Sequence, residues 1–584
     1  MQRRLSFSYL ERVSAYLTAA GLALLALALG AWPAPARACG GFFCSATAPV
    51  NQAAERIIFA KNNDGSVTAV VEIQYSGPSE HFAWVLPVPG KPNVAVSSNV
   101  AFTRLQSASN PQYRLTRRIE GQCDDTGARG DVEVDGSQSV DAGVVQAPTT
   151  PVTVVDRGTV GPYDYVVISL DPTAAAPGDA AVEWLTGERF DVSSVGGERL
   201  GEYLEGGMNL IAFRLSKGND TGTIRPIRIT YQAECPMIPI RPTAVAADDD
   251  MGVLVWVLGE ARAVPTNYRT LELDDALIDW TTGGANYDAV VTAAANEAGG
   301  QGFVTERAGS SADYDQVVFS RGDDQQWQQV QALASTSPER AFLEALRAFS
   351  AWDGFRSAAE KVLAAGYTYE MLIDCAQQRG FECMPPLDLG KVPAFLAEVE
   401  ADVIEPVRAT QALLDSRPYV TRMYTTLSAP EMTVDPKFDF NADLGDVSNL
   451  HDATQFIECR AGLRFADAPW RIELPSGQTL RGVGQTDPWP LALGAPEAPA
   501  ANARVLQLGT TGAGVVVSDN QADIAATLGA HNRRLAPPSE TVAGGGDLCT
   551  LRPGASRPAG AGALALLALA LITLRRLSRR SIDG

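Results

Sequence analysis

The chain runs to 584 residues, more than one ordinary hydrophobic core organises, so two or three domains are expected. With 46% hydrophobic and 20% charged residues it has the composition of folded protein, which excludes a largely disordered chain. A formal charge of -21 opposes binding to nucleic acid or to an anionic lipid surface, because phosphates are repelled.

The chain opens with an export signal pattern. Arg3 and Arg4 form a basic end, residues 16–32 an apolar stretch, and Ala36-Arg37-Ala38 a small-x-small cleavage site, giving a signal peptide over 1–38. Cleavage there leaves Cys39 first, and a lipidated Cys39 is the rival reading. Eight cysteines in an exported chain imply disulfides: Cys39 with Cys44 and Cys375 with Cys383 by proximity, then Cys123 with Cys235 and Cys459 with Cys549. Zinc is the competing use. No C-x-x-C pair supports it, and the chain has 3 histidines, His81, His451 and His531.

Residues 39–310 read as a β-rich domain, a sandwich or an open barrel. Residues 56–60 and 67–75 flank Asn62-Asn63-Asp64-Gly65, a hairpin with the Asp-Gly turn such loops favour. Residues 82–88 form an apolar strand interrupted by Pro87, which suits an edge. Residues 112–119 alternate as a half-buried strand does. An acidic, glycine-rich loop fills 122–150 and contains Arg129-Gly130-Asp131; Arg321-Gly322-Asp323 recurs later, and chance explains both adhesion-like triplets. Further strands are expected at 153–160, 164–170, 208–215, 226–232 and 251–258, with short helices near 180–185 and 198–204. The run Val253-Leu254-Val255-Trp256-Val257-Leu258 is apolar on both faces and so central.

Residues 311–417 read as helical. Three- and four-residue apolar spacing marks 326–334, 338–349, 355–365 and 369–378, following an earlier helix at 287–298. Ser337-Pro338-Glu339 is a helix start, and 393–414 a long helix kinked at Pro406. Residues 418–536 are mixed, with strands at 419–427, 455–460, 470–474, 504–508 and 514–517 and a closing helix at 522–535. Residues 537–558 form a Gly/Pro/Ser linker. An uncharged run begins at Ala559 and, extended by Leu577, gives a transmembrane or sorting segment over 559–577. Its 559–574 part reaches about 24 Å against a hydrocarbon core of about 30 Å. Arg575, Arg576, Arg579 and Arg580 hold the basic end, 578–584 included, on the cytoplasmic side. The class is thus α+β with a single membrane pass and the bulk of the chain extracytoplasmic.

Chemistry is sparse. The acidic loop at 435–446 places Asp439, Asn441 and Asp443 in alternation, so their oxygens can converge on calcium; equally, they share one face of a strand whose other face carries Phe438 and Phe440. Leu444 and Leu450 stand where the calcium-loop pattern wants glycine and glutamate. Asp248-Asp249-Asp250 is a weaker acidic cluster. No G-x-S-x-G, H-E-x-x-H or phosphate-cradling motif is present, Gly509 to Gly514 having the spacing of a tight turn. His81 and His451 each stand alone, as structural histidines do. Apart from possible calcium, no cofactor is expected.

Several stretches resemble a known family. Cys39-Gly40-Gly41-Phe42-Phe43-Cys44, Phe82-Ala83-Trp84-Val85-Leu86-Pro87-Val88-Pro89, Pro226-Ile227-Arg228-Ile229-Thr230-Tyr231, Arg262-Ala263-Val264-Pro265-Thr266-Asn267-Tyr268 and Gly302-Phe303-Val304-Thr305-Glu306 are similar to an exported bacterial family, domain of unknown function number 2330. The resemblance implies an envelope-associated protein and carries no catalytic residues with it. The terminus resembles myxobacterial surface-sorting tails. The expected function is a membrane-anchored envelope protein acting as a structural or binding module, its partners the bilayer and an envelope protein or polysaccharide. A hydrolase using acidic residues or calcium is the alternative.

Overall fold

In a computed structural model the described residues are 51–76, 82–124, 152–174, 176–190, 192, 197–216, 224–245, 247–379, 383–484, 489–495 and 498–535. The fold starts from a hairpin. β1 (Asn51–Lys61) and β2 (Ser66–Ser76) pair antiparallel, with Ile57 opposite Val71. Asp64 caps the turn by accepting from the Ser66 amide, and Gly65 takes the left-handed conformation the turn requires, at φ +84°. On its other side β1 runs parallel to β10 (Ala247–Gly259), which pairs antiparallel with β14 (Tyr419–Leu427).

These four strands are the centre of a ten-stranded sheet. Beyond β14 come β13 (Gly302–Ser310), β12 (Arg269–Leu273), β19 (Asn502–Gln507) and the edge strand β20 (Val515–Asp519). Beyond β2 come β9 (Ile227–Gln232) and the edge strand β4 (Asn93–Val96). A four-stranded sheet orders β3 (Ala83–Val88), β8 (Asn209–Leu215), β7 (Tyr163–Ser169) and β6 (Thr153–Val160), with β3 at the edge its prolines suit. A second four-stranded sheet orders β18 (Thr479–Val483), β17 (Pro469–Glu473), β16 (Leu450–Glu458) and β5 (Gln112–Glu120), and β11 (Arg262–Pro265) pairs β15 (Phe438–Asn441).

Strand alternation sends side chains to two cores. Ile57, Phe59, Val253, Val255 and Val257 meet Trp84, Tyr163 and Phe213 of the β3–β6 sheet. Ile58, Leu254, Trp256 and Leu258 face the helices Asn99–Ser109, Arg321–Leu333, Pro338–Phe349, Phe355–Glu360 and Val392–Val399. The outer face of the β3–β6 sheet is covered by Pro177–Gly187 and Gly197–Glu205. Those two helices approach so closely that a Cβ on Gly178 would lie 1.7 Å from the Gly197 carbonyl oxygen. The third sheet, with the helices Tyr287–Glu297 and Gln521–Leu535, closes a further core around Trp280 and Trp470.

The β-rich start and helical middle are as expected; the ten-stranded sheet ends at β20 and β4 and packs one face on the β3–β6 sheet, the layered arrangement of the sandwich alternative. It also takes strands from 39–310 and from 418–536, and residues through Leu535 belong to one compact unit. Pro406 sits where a π-helical turn, Glu400–Ile404, widens the backbone and removes the need for its missing N–H. Ser337 makes no side-chain cap bond, whereas Ser320 and Asp323 form a full capping box, so the second Arg-Gly-Asp triplet is a helix start.

The disulfides correct two expected pairings. Cys123 joins Cys459, with Cα atoms 4.9 Å apart, because β5 and β16 run parallel in register and end together at Glu120 and Glu458. Cys235 is therefore free rather than bonded to Cys123, and Cys459 is not bonded to Cys549. Cys375–Cys383 forms as expected. Cys39, Cys44, Cys549, His81, Arg129-Gly130-Asp131, the 1–38 signal, the 537–558 linker and the 559–577 run lie outside the described residues. No helix among the described residues is long and apolar enough to cross a membrane.

Candidate functional site

A polar cleft of about 360 Å³ opens beside the central strands, bordered by β1, β10, β14, the end of the Asn99–Ser109 helix and the start of Tyr287–Glu297. Its floor is a buried ion pair. Glu306 is the extra residue of a bulge in β13, lying between Thr305 and Arg307, which oppose the adjacent Met423 and Arg422 of β14. The bulge aims the carboxylate along the sheet at Arg422.

Every nitrogen of the Arg422 guanidinium has a partner. Nε meets Glu306, Nη1 donates to Ser109 Oγ at 2.8 Å and the Gln106 carbonyl at 3.2 Å, and Nη2 donates to Asn110 Oδ1 at 2.8 Å. The guanidinium stacks over Trp256 at 5.4 Å. Tyr287 donates its hydroxyl to the second Glu306 oxygen at 2.7 Å. Arg422 and Glu306 are 4% and 3% exposed, so this network holds the wall of the cleft fixed.

Around that floor stand Arg56, which pairs with Glu72 and donates to Gln106, and Asp288, Gln74 and Asn110 at the rim. Burial raises the Glu72 carboxyl against the pull of Arg56. Tyr113, Tyr287 and Tyr424 supply aromatic faces. Burial, reinforced by nearby carboxylates, pushes all three phenols upward, so they stay protonated and present O–H groups. His451 lies stacked on Tyr113 at 4.7 Å, and burial pulls its imidazole below the usual range. It braces the tyrosine.

The residues lining the cleft, among those described, include donors, acceptors and three tyrosines but no serine, cysteine or histidine. The lining thus offers no Ser, Cys or His for a triad-type nucleophile, and its charged groups are the carboxylates Glu55, Asp288 and Glu306 beside Arg56 and Arg422.

The acidic loop is elsewhere and is dispersed. Asp439 is exposed on β15. Asn441 is fully buried, its amide donating to the Gly509 and Gly512 carbonyls, and its oxygen accepts from the Asp443 amide. Asp443 accepts from the Gly512 amide at 2.7 Å. Asp435 accepts from Tyr203, and Asp446 from Tyr419. Asp439 accepts from the amide of its neighbour Phe440, so these oxygens serve local amides, the Gly509–Gly514 turn or a tyrosine. Among the described residues no group of three or more His, Cys, Asp or Glu is arranged to hold a metal ion.

Sequence reasoning missed Arg422, Glu306, Arg56 and Tyr287 as a set. Their signal is a lone charge inside an apolar strand, Thr421-Arg422-Met423 and Thr305-Glu306-Arg307, and only pairing across 116 residues joins them.

Mixed α and β layers with a rigid polar cleft define the class. Residues 33–330 match a family described as uncharacterized protein conserved in bacteria, DUF2330, and the chain belongs to that family. No curated protein and no solved structure matches it. The matched region carries Glu306, Tyr287 and Arg56, whereas Arg422 and Tyr424 come from beyond its end.

Proposed function

We propose that the protein is an extracytoplasmic, envelope-anchored binding module whose cleft holds a small hydroxyl-rich ligand, a sugar unit of an envelope polysaccharide. The observation that carries this is the Arg422–Glu306–Tyr287 network walling a cleft of tyrosine faces and side-chain amides. Amides and carboxylates exchange hydrogen bonds with hydroxyls in both directions, and a tyrosine face covers the C–H surface of a pyranose. The disulfides Cys123–Cys459 and Cys375–Cys383 support folding in an oxidising compartment. The signal and anchor patterns at the two ends support the envelope address.

A hydrolase using carboxylates is the second reading, favoured by Glu55, Asp288 and Glu306 lining the same cleft. Thermal melting of the full-length protein against a panel of envelope sugars tests the first reading. One sugar class is expected to raise the melting temperature, and the rise is expected to vanish in Gln74→Ala, which changes a rim residue outside the Arg422 network. A panel without any shift contradicts the proposal, and release of reducing ends from the same sugars establishes the hydrolase instead.

A further inference from the structure

A second cavity lies on the opposite side of β1 and has a different character. It is about 280 Å³ in volume and opens between the ten-stranded sheet and the edge strand β3. Ile57, Phe59, Val71 and Ile229 wall it from one sheet, Leu86 and Val88 from the other. Each of these six side chains is buried, so the wall is mainly apolar, with Glu55 the one buried carboxylate bordering it. At the mouth stand Cys235, Glu234 and Lys437. The two charged side chains are exposed, and Cys235 is a half-buried free thiol. Charges on both sides act on that thiol: burial raises its pKa most, Lys437 lowers it, and Asp439 and, more weakly, Glu234 raise it again. Lys61 also acts there, but its ammonium is held by the Gly65 and Ala233 carbonyls.

We infer that this cavity is a binding site for one acyl chain of a zwitterionic amphiphile. The chain enters between the two sheets, against Ile57, Phe59, Val71, Leu86, Val88 and Ile229, a wall that offers a sugar or an ion few polar partners. The head stays at the mouth, its anionic part on Lys437 and its cationic part on Glu234. An anionic head alone meets Glu234 as a like charge, and a cationic head alone meets Lys437 likewise. A zwitterion matches both. Glu55 borders both cavities, but binding here does not depend on a ligand in the polar cleft.

Cys235 gives the experiment its readout, because it lines the cavity without being required for binding. The full-length protein is treated with a maleimide, with and without lauroyl lyso-phosphatidylethanolamine below its micellar concentration, and alkylation of Cys235 is followed by mass spectrometry. At about ten times the dissociation constant, mass action slows alkylation roughly tenfold. Lys437→Gln and Glu234→Gln each weaken the protection by roughly threefold, the scale of a surface ion pair. Ala69→Leu fills the cavity and removes the protection; should that variant fail to fold, the two surface variants decide. An unchanged alkylation rate in the wild type overturns the proposal. Equal protection by laurate, dodecylamine and the zwitterion overturns the assigned head group. A cleft that binds no sugar leaves all these outcomes as they stand.

Discussion

Arg422 shows how a single residue sets the cost of a buried polar site. Its guanidinium is matched by Glu306, Ser109, Asn110 and a carbonyl, so no nitrogen of the buried cation is left without a partner. Removing one partner leaves the other charged and buried. Glu306→Gln is therefore expected to lower unfolding free energy by about 3–5 kcal/mol in a denaturant titration, and Arg422→Met by a similar amount. A loss within experimental error of zero places the pair in water.

Asp274 and Asp275 give the molecule a pH response at the same scale. Burial pushes both carboxyls up to about 6 from an ordinary 3.8. Asp274 keeps one oxygen on the Ala276 amide, while the other has no hydrogen-bond partner in the structure. The folded state thus holds these protons more tightly than the unfolded chain. The stabilisation is complete below the unfolded pKa of 3.8 and is lost as the pH rises through about 6. Melting of the wild type is expected to fall between about pH 4 and about pH 7. Asp274→Asn is expected to flatten that fall, recovering on the order of 1–3 kcal/mol at neutral pH. A pH profile unchanged by the substitution contradicts the assignment.

At the scale of elements, the Cys123–Cys459 bridge clamps the parallel β5–β16 pair across a sequence separation of 336. Replacing both cysteines by serine is expected to cost about 2–5 kcal/mol, read from chemical unfolding under non-reducing conditions. Gly178 sets a second limit. A methyl group there strikes the Gly197 backbone, so Gly178→Ala is expected to destabilise by about 1–3 kcal/mol through forced separation of two helices.

The elements were unequally legible in the sequence. The β1–β2 hairpin, the central β10 and the helices from Arg321 to Asp415 announced themselves, because turn chemistry, two-faced apolar runs and helical spacing are local signals. β12 and β18 were hidden, each being five residues long, and β12 is stabilised by β13 and by β19, far away in the chain. The Cys123–Cys459 pairing was hidden for the same reason: it follows from strand register and not from spacing between cysteines. The cleft was the least legible feature. Gln106, Glu306 and Arg422 come from separate segments, and no short motif contains two of them.

For the whole molecule, the boundary of the family match and the boundary of the fold differ. The match stops at residue 330, yet β14 lies at the centre of the ten-stranded sheet, between β10 and β13. A chain ending at residue 330 lacks the strand that joins the two halves, along with Arg422. It is expected to lose protease resistance, whereas a chain ending at Leu535 retains it. Resistance of the shorter chain to limited proteolysis is the outcome that contradicts this architecture.

The acidic composition fits the same picture. Arg56 and Arg422 pair internally with Glu72 and Glu306, two neutral pairs that leave the formal charge of -21 to the rest of the chain.

The central claim is that the cleft floored by Arg422 and Glu306 binds a neutral, hydroxyl-rich ligand. Calorimetric titration of the full-length protein with the sugar selected by thermal shift is its most direct test. The account predicts saturable heat with one site per chain, insensitive to salt and weakened by Tyr113→Ala. Heat that disappears as salt is raised, or that persists unchanged in Tyr113→Ala, contradicts it.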